Sequence, residues 1–318
     1  MGQIGGDEMK ADRSVVQAAV NATVTCFASV TDGKNADYIP ALAQVPSGLF
    51  GVAVVLADGT TYEAGDSRQP FAIESISKVF TLARVLDQVG PAALREKIGA
   101  DPTGEPFNSV MAVELHRGKP QNPFVNAGAI ATTSLVQATS KDDRWAQILA
   151  TYGAFAGRQL DVDETVYGSE AASNQHNRGI AWLLQSYGYM YSDPMDATDV
   201  YTRQCSVRIT AADLATMGAT LANGGTNPRT GNRVVQAANV PKILAEMCMN
   251  GLYDATGDWM YKVGLPGKSG VGGGILAVVP GQLAIGAFSP PLDAFGNSVR
   301  GQLAAQALSE QLGLSLFA

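Results

Sequence analysis

Phe71-Ala72-Ile73-Glu74-Ser75-Ile76-Ser77-Lys78-Val79-Phe80 is the segment that decides both the fold and the chemistry of this chain. It places Ser75 and Lys78 three residues apart at the start of a helical pattern. Residues three apart lie on one face of a helix, so the hydroxyl and the amine can meet. The surrounding apolar residues can desolvate the amine and lower its pKa. A neutral lysine can then take a proton from serine near pH 7.

The same pair has a simpler interpretation, in which Ser75 caps a helix and Lys78 lies on the surface. Helices carry Ser-x-x-Lys pairs by chance, so this stretch alone favours the capping interpretation. Two later stretches of the chain reverse that preference.

The composition indicates a folded protein with a sizeable core. The chain has 318 residues, of which 46% are apolar and 16% are charged. This length fits one large domain or two smaller ones, and the composition excludes a disordered chain or a coiled coil. The net charge is −7 and no basic run occurs, so nucleic acid is not expected as a partner.

Location and redox state are also predicted from composition. The three cysteines show no Cys-x-x-Cys spacing and are expected to be reduced. Residues 1–12 are predicted to be a flexible leader without a signal peptide. No uncharged apolar stretch approaches the roughly 18 residues that span a bilayer. A cytoplasmic protein with no membrane contact is therefore expected. The chain has two histidines, which are too few for a histidine-based metal site.

Strand signals lie at both ends of the chain, around a helical middle. An apolar run at 50–56 leads through the turn Asp58-Gly59 into a return strand. Two late apolar runs, 275–279 and 283–288, precede a final helix at 299–312. These patterns predict an α+β fold with a central antiparallel sheet flanked by helices, plus a helical subdomain. Residues 13–318 are predicted to form a single domain with a cleft between two parts, a sheet part at about 13–80 and 225–318 and a helical part at about 81–224.

The second decisive stretch is Gly264-Leu265-Pro266-Gly267-Lys268-Ser269-Gly270-Val271-Gly272-Gly273-Gly274. Penicillin-recognising serine enzymes pair Ser-x-x-Lys with a Lys-Thr-Gly strand. Such a strand brings a cation and a backbone N–H beside the nucleophile, where they can form part of an oxyanion hole. Glycine-rich turns with a lysine are common, but both motifs in this order favour catalysis.

The third stretch, residues 249–254, contains Tyr253. A phenol has a pKa of about 10, and two nearby lysines can lower it enough for proton relay. The alternative is an ordinary packed aromatic side chain.

On these motifs the chain resembles the serine-dependent bacterial glutaminases, which share the serine β-lactamase and penicillin-binding-protein fold. The resemblance extends over roughly residues 13–317. Many members have Gln where Glu74 stands and some have Glu, and this difference is expected to matter little because the position precedes the nucleophile. The matching segments are 74–78, 99–104, 106–109, 122–130, 201–206, 251–253 and 264–275.

The resemblance implies hydrolysis of L-glutamine to L-glutamate and ammonia, without a metal or cofactor. It implies the catalytic residues Ser75, Lys78 and Tyr253, with Lys268 in support. It also implies a homo-oligomer, either a homodimer or a homotetramer. The residues that it assigns to substrate binding, including the oxyanion hole, are Tyr38, Ser75, Asn126, Glu170, Asn177, Tyr201, Tyr253 and Val271.

The implied recognition set suits a zwitterion with a neutral side-chain amide. Glu170 is expected to hold the α-ammonium group, and Asn126 and Asn177 supply neutral polar contacts. Without the resemblance, Glu170 would be interpreted as a solvated glutamate in a polar loop.

Two rival functions remain open at this point. The first is a β-lactamase or D-alanyl carboxypeptidase, against which stand the absence of a predicted export signal and of any Ser-Asp-Asn triplet. The second is a non-catalytic glutamine sensor, which would not need the nucleophile Ser75.

Overall fold

A five-stranded antiparallel sheet forms the centre of the structure, a computed structural model that describes residues 13–317. The strands follow the order β2-β1-β7-β6-β5. Two further short strands, β3 and β4, pair with each other outside this sheet. In chain order the strands are β1 (Gly51–Leu56), β2 (Thr61–Gly65), β3 (Phe71–Ala72), β4 (Arg208–Ile209), β5 (Gly267–Gly270), β6 (Gly274–Val279) and β7 (Leu283–Phe288).

Residues 13–317 also form thirteen α-helices. Two 3-10 turns, Glu74–Ile76 and Tyr253–Ala255, interrupt the chain beside the sheet. The helices are α1 (Arg13–Phe27), α2 (Pro40–Ala43), α3 (Ser77–Lys97), α4 (Val110–Leu115), α5 (Asn126–Leu135), α6 (Lys141–Ala156), α7 (Glu164–Ser173), α8 (Gln175–Ser186), α9 (Pro194–Cys205), α10 (Ala211–Ala222), α11 (Val240–Asn250), α12 (Thr256–Lys262) and α13 (Val299–Leu312).

The predicted hairpin and late strands are confirmed. β1 pairs with β2 across the Asp58-Gly59 turn, where Gly59 has φ +88°. This left-handed conformation favours glycine. β7 pairs with β1, so the two ends of the chain meet in the middle of the sheet. β5 is left at one edge, and the Lys-Ser-Gly segment therefore lies on an edge strand.

Apolar residues on both faces of the sheet are buried. Val52 and Val54 face α1 and α13, whereas Ala53 and Val55 face α10. This alternation follows the two-residue period of a strand. Gly286 permits close contact with α10, because an added Cβ would lie 2.4 Å from the carbonyl oxygen of Ala211. The sheet is therefore the middle layer between two helical layers.

Helix α10 begins with a capping box. The Thr210 side chain accepts from the Asp213 N–H, and the Asp213 carboxylate accepts from the Thr210 N–H. The helix packs on the sheet rather than only on other helices. The division into a sheet part and a helical part at about residues 81–224 stays a prediction.

Helix α3 is broken at Gly90 and Pro91, two residue types that commonly end a helix. Gly90 has the non-helical angles φ +82° and ψ +161°, directly before Pro91. Helical structure resumes and continues to Lys97. Pro91 lacks the N–H that an uninterrupted helix would need here.

The part predicted to be helical, at about residues 81–224, contains one short strand, β4. β4 pairs with β3 just before the Ser75 turn, and the Ile73 N–H donates to the Val207 carbonyl at 2.9 Å. A two-residue strand is too short to leave a periodic pattern in the sequence. The pairing of β3 with β4 holds in place the residues that lead into the 3-10 turn at Glu74–Ile76.

The leader predicted at residues 1–12 lies outside the described residues. Across residues 13–317, every helix falls short of the length and apolar character that a membrane span requires.

Candidate active site

Ser75 lies in the middle of the 3-10 turn that precedes α3 and is only 7% exposed. Glu74, directly before it, has φ +52°, a left-handed conformation that is uncommon for a residue with a side chain. Helix α3 begins after Ile76 without a side-chain cap, so Ser75 does not serve as the capping residue. The turn thus holds the serine hydroxyl in a constrained position.

The edge strand β5 packs directly against this turn because it ends in glycines. A Cβ at Gly270 would lie 2.8 Å from the carbonyl oxygen of Ile73, and a Cβ at Gly272 would lie 2.3 Å from that of Ala72. Val271 lies between these glycines and is 8% exposed. Within residues 13–317 its backbone N–H has no hydrogen-bond acceptor. That free N–H is available to a substrate oxygen.

Lys78 is buried one turn after Ser75. Its Nζ donates to the carbonyl oxygen of Phe124 at 3.0 Å and to Oδ1 of Asn126 at 2.8 Å. Burial lowers the pKa of Lys78 to about 8, while the charges of Cys205 and Glu74 act in the opposite direction. No hydrogen bond joins Lys78 to Ser75 within the described chain, as is common for catalytic pairs without substrate.

Asn126 connects the lysine to two further predicted binding residues, Tyr201 and Asn177. Its Oδ1 also accepts from the Tyr201 hydroxyl at 3.2 Å, and its Nδ2 donates to Oδ1 of Asn177 at 3.1 Å. Asn126 opens α5, after the rigid segment that contains Pro123. Lys78, Asn126, Asn177 and Tyr201, predicted from four distant segments, therefore form one network.

Glu170 on α7 lies beside Glu74, and their carboxylate oxygens approach within 4.8 Å of each other and of the Cys205 Sγ. Burial raises the pKa of Glu170 to about 7, and burial followed by the charge of Glu170 raises the pKa of Glu74. Like charges this close and this buried do not both ionise easily, so one proton is shared between the two carboxyl groups.

Tyr253 lies in the second 3-10 turn with φ +53°. Its ring packs on Phe107, with 4.6 Å between ring centroids, and under the Lys268 Nζ, 4.5 Å from the ring centroid. Burial raises the pKa of Tyr253, although the nearby Ser75 hydroxyl lowers it. The expected fall in this pKa is wrong, because desolvation of the phenolate exceeds any stabilisation by lysine.

Lys268 supports the site from inside β5. Its fully buried Nζ donates to the carbonyl oxygens of Gly251 at 2.9 Å and Ser269 at 2.7 Å. Burial, with the charge of Lys78 second, lowers the pKa of Lys268 well below its usual range. These bonds tie the strand to the segment that carries Tyr253.

Tyr38 is the most exposed predicted site residue, at 58%. Desolvation raises its pKa, and the neighbouring Tyr253, Glu74 and Glu170 raise it further. Tyr38 therefore lies within electrostatic range of the site, at its solvent side.

A cavity of about 500 Å³ lies next to Tyr253. Its wall includes Phe107, Phe124 and Asn250 but not Ser75 or Lys78. The cavity therefore adjoins the candidate site without containing the nucleophile.

Comparison with known proteins shows which family this chain belongs to. The glutaminase family profile matches residues 33–317. A glutaminase of Mycobacterium ulcerans (strain Agy99) is 64% identical over 285 residues, which cover 90% of this chain and 89% of that protein. The chain belongs to the glutaminase family. Glutaminases hydrolyse L-glutamine, and the predicted enzyme class is thereby confirmed.

Solved structures confirm the fold of this glutaminase. The probable glutaminase YbaS is 60% identical with a TM-score of 0.95, and the match covers 96% of this chain and 99% of that one. A probable glutaminase from Bacillus subtilis, complexed with 6-diazo-5-oxo-L-norleucine, is 27% identical with a TM-score of 0.86 over 100% of both chains. The predicted serine β-lactamase-like architecture is confirmed.

Sequence reasoning missed several residues of the candidate site. The identity of residue 74 was expected to matter little. A carboxyl oxygen of Glu74 nevertheless lies within 4.8 Å of a carboxyl oxygen of Glu170. Phe107 and Cys205 lie in matching motifs, but no local signal showed that they contact Tyr253 and the two glutamates. The one signal available from the sequence was that family members have either Gln or Glu at position 74.

Replacing Gly272 by alanine is expected to destabilise this glutaminase by about 1–3 kcal/mol, because the new Cβ overlaps the Ala72 carbonyl. Urea unfolding measures the change. Gly257→Ala is the control, since nothing lies within 4 Å of a Cβ at that helical position. Equal stability of both variants would show that the segment after β5 does not pack closely against Ala72.

Proposed function

We propose that this glutaminase hydrolyses L-glutamine through a covalent acyl-enzyme on Ser75. The observation that supports this mechanism is the burial of Lys78, whose pKa of about 8 makes it an effective base near neutral pH. An unperturbed lysine, with a pKa of about 10.4, would be almost fully protonated there.

In the first step neutral Lys78 takes the Ser75 proton as the serine oxygen attacks the side-chain amide carbon of glutamine. The amide oxygen becomes an oxyanion. The free N–H of Val271, together with the N–H of Ser75, is positioned to donate to it.

In the second step the C–N bond breaks and ammonia leaves with a proton. Burial keeps Tyr253 a neutral phenol, so it can donate that proton and recover one from protonated Lys78. Water then attacks the ester, giving its proton to the same relay, and glutamate and free Ser75 are released.

Substrate recognition follows from the charges that line the site. Ionised Glu170 pairs with the α-ammonium group, while Asn126, Asn177 and Tyr201 provide neutral hydrogen-bond partners for the rest of the amino-acid head group. Tyr38 covers the solvent side. Lys268 holds β5 in place rather than touching substrate.

Ammonia release from glutamine, followed by a coupled assay on the full chain, tests the proposal. We expect turnover of glutamine and no acylation by nitrocefin. Nitrocefin hydrolysis would favour the β-lactamase alternative. Glutamine binding without ammonia release would favour the sensor alternative.

Replacing Glu170 by glutamine is expected to raise KM for glutamine by at least about 30-fold, because truncating one partner of a buried charge pair costs about 2 kcal/mol or more. Steady-state kinetics measure the change. Glu164→Gln, an exposed position at the start of the same helix, is the control. An unchanged KM would remove Glu170 from the recognition site.

The pH dependence of kcat/KM is a second test of the role of Glu170. The pKa of substrate-free Glu170 is about 7, so its ionised fraction falls as the pH drops below that value. We expect kcat/KM of the wild type to decrease on this acidic side, and Glu170→Gln to lose this contribution.

Two broader features form part of the proposal. The chain is proposed to assemble as a homodimer or homotetramer, which light scattering of the purified protein can measure. Its cytoplasmic location is likewise proposed, and cell fractionation can check it.

A further inference from the structure

Three helices meet at the polar network of the candidate site. The Oδ1 of Asn126 on α5 accepts from the Lys78 amine on α3 at 2.8 Å and from the Tyr201 hydroxyl on α9 at 3.2 Å. A hydrogen bond weakens steeply when its geometry is distorted. Both bonds to this one acceptor atom therefore depend on the relative placement of α3, α5 and α9.

A second amide oxygen joins the same three helices in the core. The Oε1 of Gln204 on α9 accepts from the Thr81 hydroxyl on α3 at 3.0 Å and from the Thr133 hydroxyl on α5 at 3.2 Å. All three side chains are buried. We call Gln204, Thr81 and Thr133 the buried junction. It repeats the arrangement at Asn126, where one amide oxygen also accepts from donors on the other two helices.

Each residue of the buried junction lies on the same helix face as a residue of the site. The two residues are three apart on α3 and on α9, and seven apart on α5. Residues three or seven apart share one face of a helix. A displacement of any of these helices at the junction would therefore move the site residue as well. The pairs, with the site residue first, are Lys78 and Thr81, Tyr201 and Gln204, and Asn126 and Thr133.

The buried junction also contacts the start of α3 through helix α6. The Thr81 hydroxyl lies 2.6 Å from the hydroxyl of Tyr152 on α6, which lies 2.9 Å from the Ser77 carbonyl oxygen. Tyr152 is fully buried. Ser77 is the first residue of α3 and follows Ser75 by two residues. The same polar cluster thus adjoins the turn that carries the proposed nucleophile.

Stability alone does not explain the side-chain amide of Gln204. Its Nε2 is buried without a hydrogen-bond partner within residues 13–317. An unpaired buried donor is unfavourable, and an apolar side chain of similar volume would avoid it. In some proteins, buried polar groups instead select one arrangement of the packed elements. The two bonds that Oε1 of Gln204 accepts fit that role.

We propose that the buried junction is a positioning device for catalysis: its hydrogen bonds hold α3, α5 and α9 where Lys78 and Tyr201 can both reach Asn126. The three junction residues act through the site residue on their own helix and not on the substrate. The expected effect on turnover rests on the proposed role of Lys78 as the base. The hydrogen bonds of the junction do not depend on that role.

Thr81→Val removes the junction hydroxyl from α3 and keeps the shape of the side chain. Gln204 keeps its bond from Thr133. Tyr152 keeps its bond to the Ser77 carbonyl oxygen, so the variant is expected to fold. We expect kcat for glutamine to fall about 10–100-fold, because a misplacement of about 1 Å can cost about 10²-fold. Thr81→Ser restores the hydroxyl and should recover most of the lost turnover.

Gln204→Met separates positioning from stability. Methionine fills a similar volume without an acceptor, and Thr133 still donates to the Ala129 carbonyl oxygen at 2.9 Å. Urea unfolding should show a stability no lower than that of the wild type, because the unpaired Nε2 is gone. Steady-state kinetics of the folded variant should nevertheless show a loss of kcat similar to that of Thr81→Val. A side chain that served only stability would give the opposite pair of results.

Thr132→Val is the matched control. Thr132 is a buried threonine of α5 whose hydroxyl donates to the Gly128 carbonyl oxygen of its own helix at 2.7 Å. This variant should keep the wild-type kcat and KM. The double variant Thr81→Val/Gln204→Met should lose less turnover than the product of the two single losses, because both changes break the same hydrogen bond.

Three results would overturn the proposal: wild-type kcat and KM in folded Thr81→Val and Gln204→Met, equal losses in Thr81→Ser and Thr81→Val, or fully multiplicative losses in the double variant. Lys78→Met distinguishes failure of the junction from failure of the mechanism. If Lys78→Met is impaired and the junction variants are not, the base assignment stands and the positioning role is rejected. Wild-type turnover of Lys78→Met would reject the proposed base, whatever the junction variants do.

Discussion

Ser75→Ala is expected to lower kcat for glutamine by about 10⁴–10⁶-fold, the range found when a serine nucleophile is removed. The variant lacks the atom that forms the acyl-enzyme, and the neighbouring groups cannot replace it. Stopped assays of ammonia release with high enzyme concentration can measure so large a loss. Binding of glutamate should persist, because Glu170, Asn126 and Tyr201 remain.

Ser77→Ala is the appropriate control for this variant. Ser77 is a buried serine two residues further along, and its hydroxyl contacts the Cys205 Sγ and not the proposed relay. It should retain most of the wild-type turnover. Near-native activity of Ser75→Ala would refute the acyl-enzyme mechanism outright.

The second large effect is expected for Lys78→Met, which should reduce kcat by about 10²–10⁴-fold, the usual contribution of general acid–base catalysis. Methionine fills the buried space but cannot accept a proton. Lys78→Arg should be similarly impaired, because a guanidinium group stays protonated. Lys97→Met, at the far end of the same helix, is the control. Wild-type turnover in Lys78→Met would assign the base to another residue.

The pH profile provides an independent check on Lys78. With a pKa of about 8, roughly one tenth of the free enzyme has neutral Lys78 at pH 7, and half has it at pH 8. The base requires the neutral form, so kcat/KM should rise with pH, with its midpoint near pH 8, and level off about one pH unit higher. A profile that is flat from pH 7 to 9 would contradict this assignment.

Local signals explain why much of the fold could be predicted. The Asp58-Gly59 turn and the Lys-Ser-Gly strand each depend on a few adjacent residues, and each appears as predicted. Apolar periodicity likewise marked α13 with its bounds at residues 299 and 312. Where neighbours in sequence determine a structure, the pattern alone is sufficient.

Tertiary contacts explain what could not be predicted. The approach of Glu74 to Glu170 and the packing of Phe107 on Tyr253 join segments that no local pattern connects. The sign of the Tyr253 pKa shift depends on burial, which sequence does not reveal for a single tyrosine. The pairing of β3 with β4 was missed because it involves only two residues of each strand, too few for a periodic pattern.

Labelling with 6-diazo-5-oxo-L-norleucine, an electrophilic glutamine analogue, tests the central claim most directly. The inactivated protein is digested and the modified peptide is identified by mass spectrometry. We predict one label per chain, attached to Ser75, formed more slowly in Lys78→Met and absent in Ser75→Ala. Inactivation with the label on any other residue, or full ammonia release from protein labelled at Ser75, would contradict the account.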